Sequence, residues 1–301
     1  MTAWAATNPL RFGLIGVDSP HAPSFTRLFG DGITGTVPGG TVVSAWKGEA
    51  APDFPPGRDR IDAFADEVAA LGVPLRDTPE EVAAECDALL VVASDSRTHP
   101  GYFTRLAPFG KPLYVDSRFA PASRDARAML AAARTHGCLP LAGSPKRFTP
   151  EFRQALGDGR AERIDLTGPL PTQPGHPTLA WYGVHLVDLA VAALGPGCVL
   201  VDAPAGERTT VTWADGRTAT LGGEEEWSPL TTGHLTVAPG TTRDFTIEAG
   251  PPMLTGLLAS LVHACRTGTP NVPEAEVLDI VAVVEAAHRS RVTGAPVRLR
   301  R

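Results

Sequence analysis

With 301 residues, 43% apolar and 20% charged, the chain is long enough for two ordinary domains, each with its own core. Its net charge of -6 argues against a nucleic-acid partner, whose phosphates call for a basic face. No apolar run nears the roughly 18 residues that span a bilayer. The opening MTAWAATNPLRFG has no charged segment followed by an apolar one, so neither a membrane partner nor a secretory signal is expected. Cys86, Cys138, Cys198 and Cys265 are scattered without a C-x-x-C pair, a spacing that fits buried thiols in the reducing cytoplasm. Of the 27 basic residues only Lys47, Lys111 and Lys146 are lysines, which leaves few candidates for a catalytic amine.

From Arg11 to about Arg147, short apolar runs alternate with amphipathic stretches. Phe12–Val17, Thr41–Trp46, Ala88–Ala93, Leu113–Val115 and Cys138–Ala142 read as strands buried on both faces. Ala22–Phe29, Arg60–Leu71, Pro79–Cys86, His99–Phe109 and Ser123–Thr135 read as helices between them. At Thr78-Pro79-Glu80-Glu81 a Thr cap, a proline at the first helical position and two acids mark a helix start. This alternation predicts right-handed crossovers and a doubly wound parallel sheet of the Rossmann type.

Beyond Arg147 the texture changes. Thr149–Leu156 and Ala180–Leu194 read as helices, and Pro169–Pro177 as a proline-rich loop near the site. Val199–Val201, Thr209–Trp213, Thr218–Leu221, Gly233–Val237 and Thr242–Ile247 read as strands separated by Gly, Pro and Asp. Successive short strands with turn signals between them predict a mainly antiparallel open sheet in an α+β domain, closed by helices over Met253–Thr267 and Pro273–Val292. The expected domains are residues 1–147 and 148–301.

The first strand ends in FGLIGVDSPH (Phe12 to His21), where a dinucleotide-binding fold places G-x-G-x-x-G. Gly16 keeps the tight turn, and the helix that follows offers free N–H groups and a positive dipole end to a pyrophosphate. The second and third glycine positions hold Asp18 and His21, and Asp18 brings a negative charge where backbone should approach phosphate. No acid ends the second strand to bind a ribose hydroxyl, whereas Lys47 there favours a 2′-phosphate, hence NADP over NAD.

Four strings in order resemble the Gfo/Idh/MocA family of sugar and cyclitol oxidoreductases: FGLIGVDSPH, CDALLVVASDSRTH, GKPLYVDSRFA with AGSPKRF, and WYGVHLVDLAVAALG. The C-terminal RTGTPNVPEAEVLDIVAVVEAAHRSRVTGAPVRL is also similar, so the resemblance covers nearly the whole chain. It implies an NAD or NADP domain followed by a domain that presents a small-molecule substrate to the nicotinamide, and pairing of copies through the outer face of the second sheet, hence a homo-oligomer.

Carried over residue by residue, His185 stands at the catalytic histidine, Gly183 two before it, and Asp188 at the acid that follows. The family's lysine is replaced by Ser117, between Asp116 and Arg118, and the acid four residues before the histidine by Trp181. Val17 and Ser94 fall beside the expected nucleotide turn, and His99 at a position near the nicotinamide. A histidine titrating near neutrality suits the general-base task in alcohol oxidation. Arg118 supplies a cation but is a poor proton shuttle, so binding of a ligand carboxylate or phosphate is its natural role. Gly16, His99, Asp116, Ser117, Arg118 and His185 are expected to line one cleft. His21, Asp18, His185 and His176 are potential metal ligands, but nothing in their spacing requires a metal.

The leading reading is an NAD(P)-dependent oxidoreductase acting on a sugar, cyclitol or related polar metabolite, with His185 as the acid/base and Arg118 or Ser117 replacing the lysine's contact. Its rivals are a non-redox isomerase or lyase using His185 with Asp18 and His21, and a catalytically silent ligand-binding protein.

Overall fold

The computed structural model describes residues 8–299 of the chain. Its elements run β1 (Leu10–Ile15), α1 (His21–Phe29), β2 (Gly40–Trp46), α2 (Pro55–Arg58), α3 (Ile61–Ala70), β3 (Leu75–Arg76), α4 (Pro79–Glu85), β4 (Ala88–Val91), α5 (His99–Leu106), β5 (Leu113–Val115), α6 (Ser123–His136) and β6 (Pro140–Leu141). A 3₁₀ turn (Pro145–Phe148) leads to α7 (Pro150–Leu156), β7 (Arg163–Thr167), α8 (Val184–Leu194), β8 (Cys198–Asp202), β9 (Thr209–Trp213), β10 (Thr218–Gly222), β11 (Leu230–Ala238), β12 (Thr241–Glu248), α9 (Pro251–Thr267), α10 (Glu274–Thr293) and β13 (Val297–Arg298).

β1 to β6 form one parallel sheet in the order β3-β2-β1-β4-β5-β6. This is the doubly wound arrangement predicted from the alternation of strands and helices. The order reverses beside β1, which places the crevice used by ligands in such sheets at the carboxyl ends of β1 and β4. α4 starts as its sequence predicts: Thr78 Oγ1 accepts the Glu81 N–H at 3.2 Å, and Glu81 Oε2 accepts the Thr78 N–H at 3.3 Å. Such a reciprocal cap is worth about 1 kcal/mol.

The second sheet has seven strands in the order β12-β11-β7-β10-β9-β8-β13. All its pairings are antiparallel except β7 with β10. One of its inner strands, β7, carries only Ile164 and Leu166 as apolar residues, alternating with Arg163, Asp165 and Thr167. That run is too short and too charged to stand out by periodicity, and the sequence reading passes over it. On the inner face Ile164, Leu166, Leu235 and Phe245 join the core with Leu186, Leu189 and Val283. Trp213 is buried there, and its indole N–H donates to the Gly195 carbonyl at 2.7 Å.

The chain divides into two compact units. The first comprises residues up to Asp116 together with Ala128–Ala142 and Leu258–Asn271; the second comprises Ser117–Arg127, Gly143–Leu257 and the residues from Val272 onward. The division expected after Arg147 is therefore discontinuous. Asn271 is the reason on the C-terminal side: its amide accepts the Ala142 N–H at 3.1 Å and donates to the Ala142 carbonyl at 2.9 Å, which ties this segment to the end of β6. No helix among the described residues is long and apolar enough to cross a membrane.

Candidate active site

In the first unit, Gly16 closes β1 with a φ of 75°, and its N–H continues the sheet to the Trp46 carbonyl at 3.0 Å. A Cβ at Gly16 would lie 2.7 Å from that of Ala93, so the turn requires glycine for both conformation and space. Val17 is buried, and its N–H donates to the Lys47 carbonyl at 2.9 Å. Asp18 is turned inward: Oδ1 accepts the Ser94 N–H at 2.8 Å, and the Ser94 hydroxyl donates to the Asp18 carbonyl at 3.4 Å. The aspartate thus stitches the turn after β1 to the turn after β4.

His21 opens α1. Its Nδ1 lies 3.0 Å from Asp116 Oδ2, and its ring stacks on Phe25 at 5.1 Å. The Tyr114 hydroxyl donates to the other Asp116 oxygen at 3.1 Å, so the buried carboxylate at the tip of β5 orients an imidazole. His99 is fully buried at the start of α5, with Nε2 2.8 Å from the Ala93 carbonyl oxygen. The Lys47 ammonium pairs with the exposed Asp62, which occupies the charge expected to meet a 2′-phosphate. Gly16, Asp18, Lys47, Glu49, Phe54 and Tyr102 line a cavity of only about 10 Å³. That is room for about one water, against the roughly 300–1,000 Å³ of a small-molecule site. This small cavity lies beside the Gly16 turn, at the carboxyl ends of β1 and β4.

Ser117 and Arg118 belong to the second unit. Arg118 lies over the Trp181 ring, 4.3 Å from its centroid, and its Nη1 donates to the Trp181 carbonyl at 3.1 Å. The two departures from the family pattern therefore meet each other: the tryptophan in the acid's place is capped by the cation beside the missing lysine. His176 packs edge-on to the same indole at 5.5 Å, with Nδ1 3.2 Å from the Pro174 carbonyl oxygen.

His185 lies in the first turn of α8, partly buried, with Nδ1 2.8 Å from Ser144 Oγ. That hydroxyl also caps the 3₁₀ turn by accepting the Lys146 N–H at 3.3 Å. Asp188 does not touch the imidazole. Its Oδ2 accepts the Ser144 N–H at 3.0 Å, and its Oδ1 lies 3.3 Å from Arg147 Nη1, a charge contact outside hydrogen-bond geometry. Arg147 also pairs with Glu276. Burial pushes the Asp188 carboxyl up, and Arg147 and the Ser144 N–H offset part of that rise. Burial equally opposes charge on Arg147, but Asp188 and Glu276 outweigh it and hold the guanidinium charged. Asp188 therefore bears on His185 through Ser144, as part of a buried ion-pair network.

Lys146 is the residue that sequence reasoning missed as a site. It is 5% exposed, and its ammonium donates to Thr231 Oγ1, with no carboxylate paired to it among the described residues. Burial lowers its pKa to about 8. The signal was present in the scarcity of lysines, but the AGSPKRF string gives no sign that the side chain turns inward. Because the folded pKa lies below the unfolded one, the unfolded chain binds the extra proton between about pH 8 and 10.5, and stability rises with pH across that window. Below about pH 8 the buried charge costs the fold about 3 kcal/mol. Lys146→Met is expected to melt higher than the parent at pH 7, with the gap closing toward pH 10; a gap independent of pH would contradict the buried-charge account. Among the described residues no group of three or more His, Cys, Asp or Glu side chains is placed to hold a metal ion.

The fold is shared with several solved dehydrogenases, matched over nearly the whole chain. GenD2 from gentamicin A biosynthesis, solved in complex with NAD, superposes with a TM-score of 0.79 at 17% identity, covering 98% of each chain. The myo-inositol 2-dehydrogenase of Lactobacillus plantarum gives 0.75 at 14% identity, over 97% of this chain and 100% of that one. UDP-N-acetylglucosamine 3-dehydrogenase GnnA from Acidithiobacillus ferrooxidans gives 0.73 at 17%, over 95% and 99%. No protein-family model and no curated protein sequence matches the chain.

Proposed function

We propose that this protein is an NAD(P)-dependent oxidoreductase that oxidises a hydroxyl of a sugar, cyclitol or similar polar metabolite. The observation that carries the proposal is the seating of His185, within a fold shared with dehydrogenases of such compounds. With Nδ1–H donating to Ser144 Oγ, Nε2 holds the lone pair that receives the hydroxyl proton. A nicotinamide, when bound, supplies the hydride acceptor, and the carbinol becomes a carbonyl. Lys146, beside Thr231, holds a substrate hydroxyl and supplies the positive charge that Ser117 lacks. In this reading Gly16, His99 and Asp116 of the first unit serve the nucleotide, Ser117, Arg118 and His185 of the second serve the substrate, and copies pair through the outer face of the second sheet.

Fluorescence titration with NADH and NADPH, followed by turnover on a panel of cyclitols and sugar derivatives, tests the proposal. The two nucleotides also read the 2′-phosphate preference that Lys47 implies. Ser117→Lys is expected to retain turnover or raise it, because the position regains an ammonium; collapse of kcat in that variant would point to a site rebuilt for other chemistry.

One observation favours a second reading, a non-redox isomerase or lyase. The His21–Asp116 pair is an oriented imidazole in its own right. Turnover without any nucleotide, lost in His21→Ala, would select it.

A further inference from the structure

The loop after β2 is long, and it does not run out into solvent. Asp53, Phe54 and α2 fold back over the carboxyl ends of β1 and β4, where the reversal of strand order opens the crevice. Phe54 is fully buried and lines the small cavity beside Gly16 and Asp18. Gly57 is pressed so closely on the nucleotide turn that a Cβ there would stand 2.7 Å from Asp18 Oδ2. Arg60 continues the strap, bonding the Pro56 carbonyl and approaching Ser94 Oγ at 3.5 Å.

An ion pair adds to these contacts in fastening the strap to the opposite bank. Arg97, in the turn after β4, grips Asp53 with both terminal nitrogens, at 2.7 Å and 2.9 Å. Its Nε and Nη2 also bond Asp95, at 2.9 Å and 2.7 Å, and its guanidinium lies 6.0 Å from the Phe54 ring centroid. Asp53 is 64% exposed, whereas Asp95 is almost covered, so the Asp53 end is the one that releases.

We propose that the segment Asp53–Arg60 is a latched strap across the dinucleotide crevice, and that nucleotide enters only when Arg97 lets Asp53 go. The inference rests on the cofactor reading above. It explains why the space between the strap and the Gly16–Asp18 turn holds about one water. Closed and open strap form a two-state element in which only the open state binds, so apparent affinity is scaled by the open fraction.

The test is NADH and NADPH titration of the parent protein, Arg97→Ala and Asp53→Ala, alongside hydrogen exchange over residues 50–60. Asp53→Ala alters an exposed side chain and guards against misfolding of the arginine variant. The expected result is faster exchange in that segment in both variants, with nucleotide bound roughly threefold to tenfold more tightly than by the parent. Nucleotide added to the parent should also speed exchange there. Unchanged or weaker affinity in both variants, with the parent binding nucleotide, would overturn the strap while leaving the cofactor reading intact. No nucleotide binding by any of the three proteins would overturn both. Tighter binding in the variants without alcohol oxidation would support the strap and count against the proposed reaction alone.

Discussion

Replacing His185 by alanine is expected to lower kcat on the order of 10²–10⁴-fold, the span for loss of the general base proposed above. Two features make the loss specific to proton transfer. Ser144 fixes the ring at Nδ1, and the same serine is anchored by Asp188 through its backbone, so the imidazole is held before substrate arrives. Substrate affinity should change far less than turnover, because a group that works mainly in the transition state contributes little to ground-state binding. Ser144→Ala should give a smaller loss of the same kind, since it frees the ring without deleting it. Steady-state kinetics on whichever alcohol the panel identifies checks both variants. A His185→Ala enzyme with undiminished kcat would remove the core of the mechanism.

The second large effect is on stability. Arg147→Ala is expected to destabilise the fold by about 3–5 kcal/mol, because it strands Asp188 as an uncompensated buried charge. The guanidinium sits at 9% side-chain exposure between Asp188 at 1% and Glu276 at 14%, so water cannot take its place cheaply. Urea denaturation of the two proteins measures the difference. In the double variant Arg147→Met/Asp188→Leu much of the loss should return, because an apolar pair removes the need for compensation. Were the single variant within about 0.5 kcal/mol of the parent, the network would be a surface-like pair of little energetic weight.

Much of the fold was legible because its strands are buried on both faces. Phe12–Val17, Ala88–Ala93 and Leu113–Val115 each read as continuous apolar runs, and all three lie in the parallel sheet. The cap at Thr78 was equally readable, since Thr, Pro and Glu perform their roles within four residues. What escaped the sequence depends on distant partners. β7 is an inner strand only because β10 and β11 flank it, and β13 is two residues long. At the site, His185 could be placed by spacing on a helix, but its partner Ser144 lies far back in sequence, on a turn that no periodicity marks. Arg118 was expected to meet a ligand anion; its engagement with Trp181 depends on two residues whose proximity only the folded chain reveals. The strap over the crevice was invisible for the same reason. PDFPPGRDR reads as a loop, and nothing in it announces that Asp53 will meet Arg97.

The discontinuity of the first unit bears on how the chain is made. A ribosome releases β1 to β6 early, but Leu258–Asn271, which belongs to the same unit, emerges only after β7 to β12. Until then the Ala142 backbone lacks its Asn271 clamp, and the surface that receives Leu258 and Leu261 stays uncovered. Meanwhile β7 waits for β10 and β11 before either of its edges is paired. Neither half can finish first, so folding waits until Leu258–Asn271 has emerged, and until then the nascent chain is exposed to aggregation and to chaperone capture.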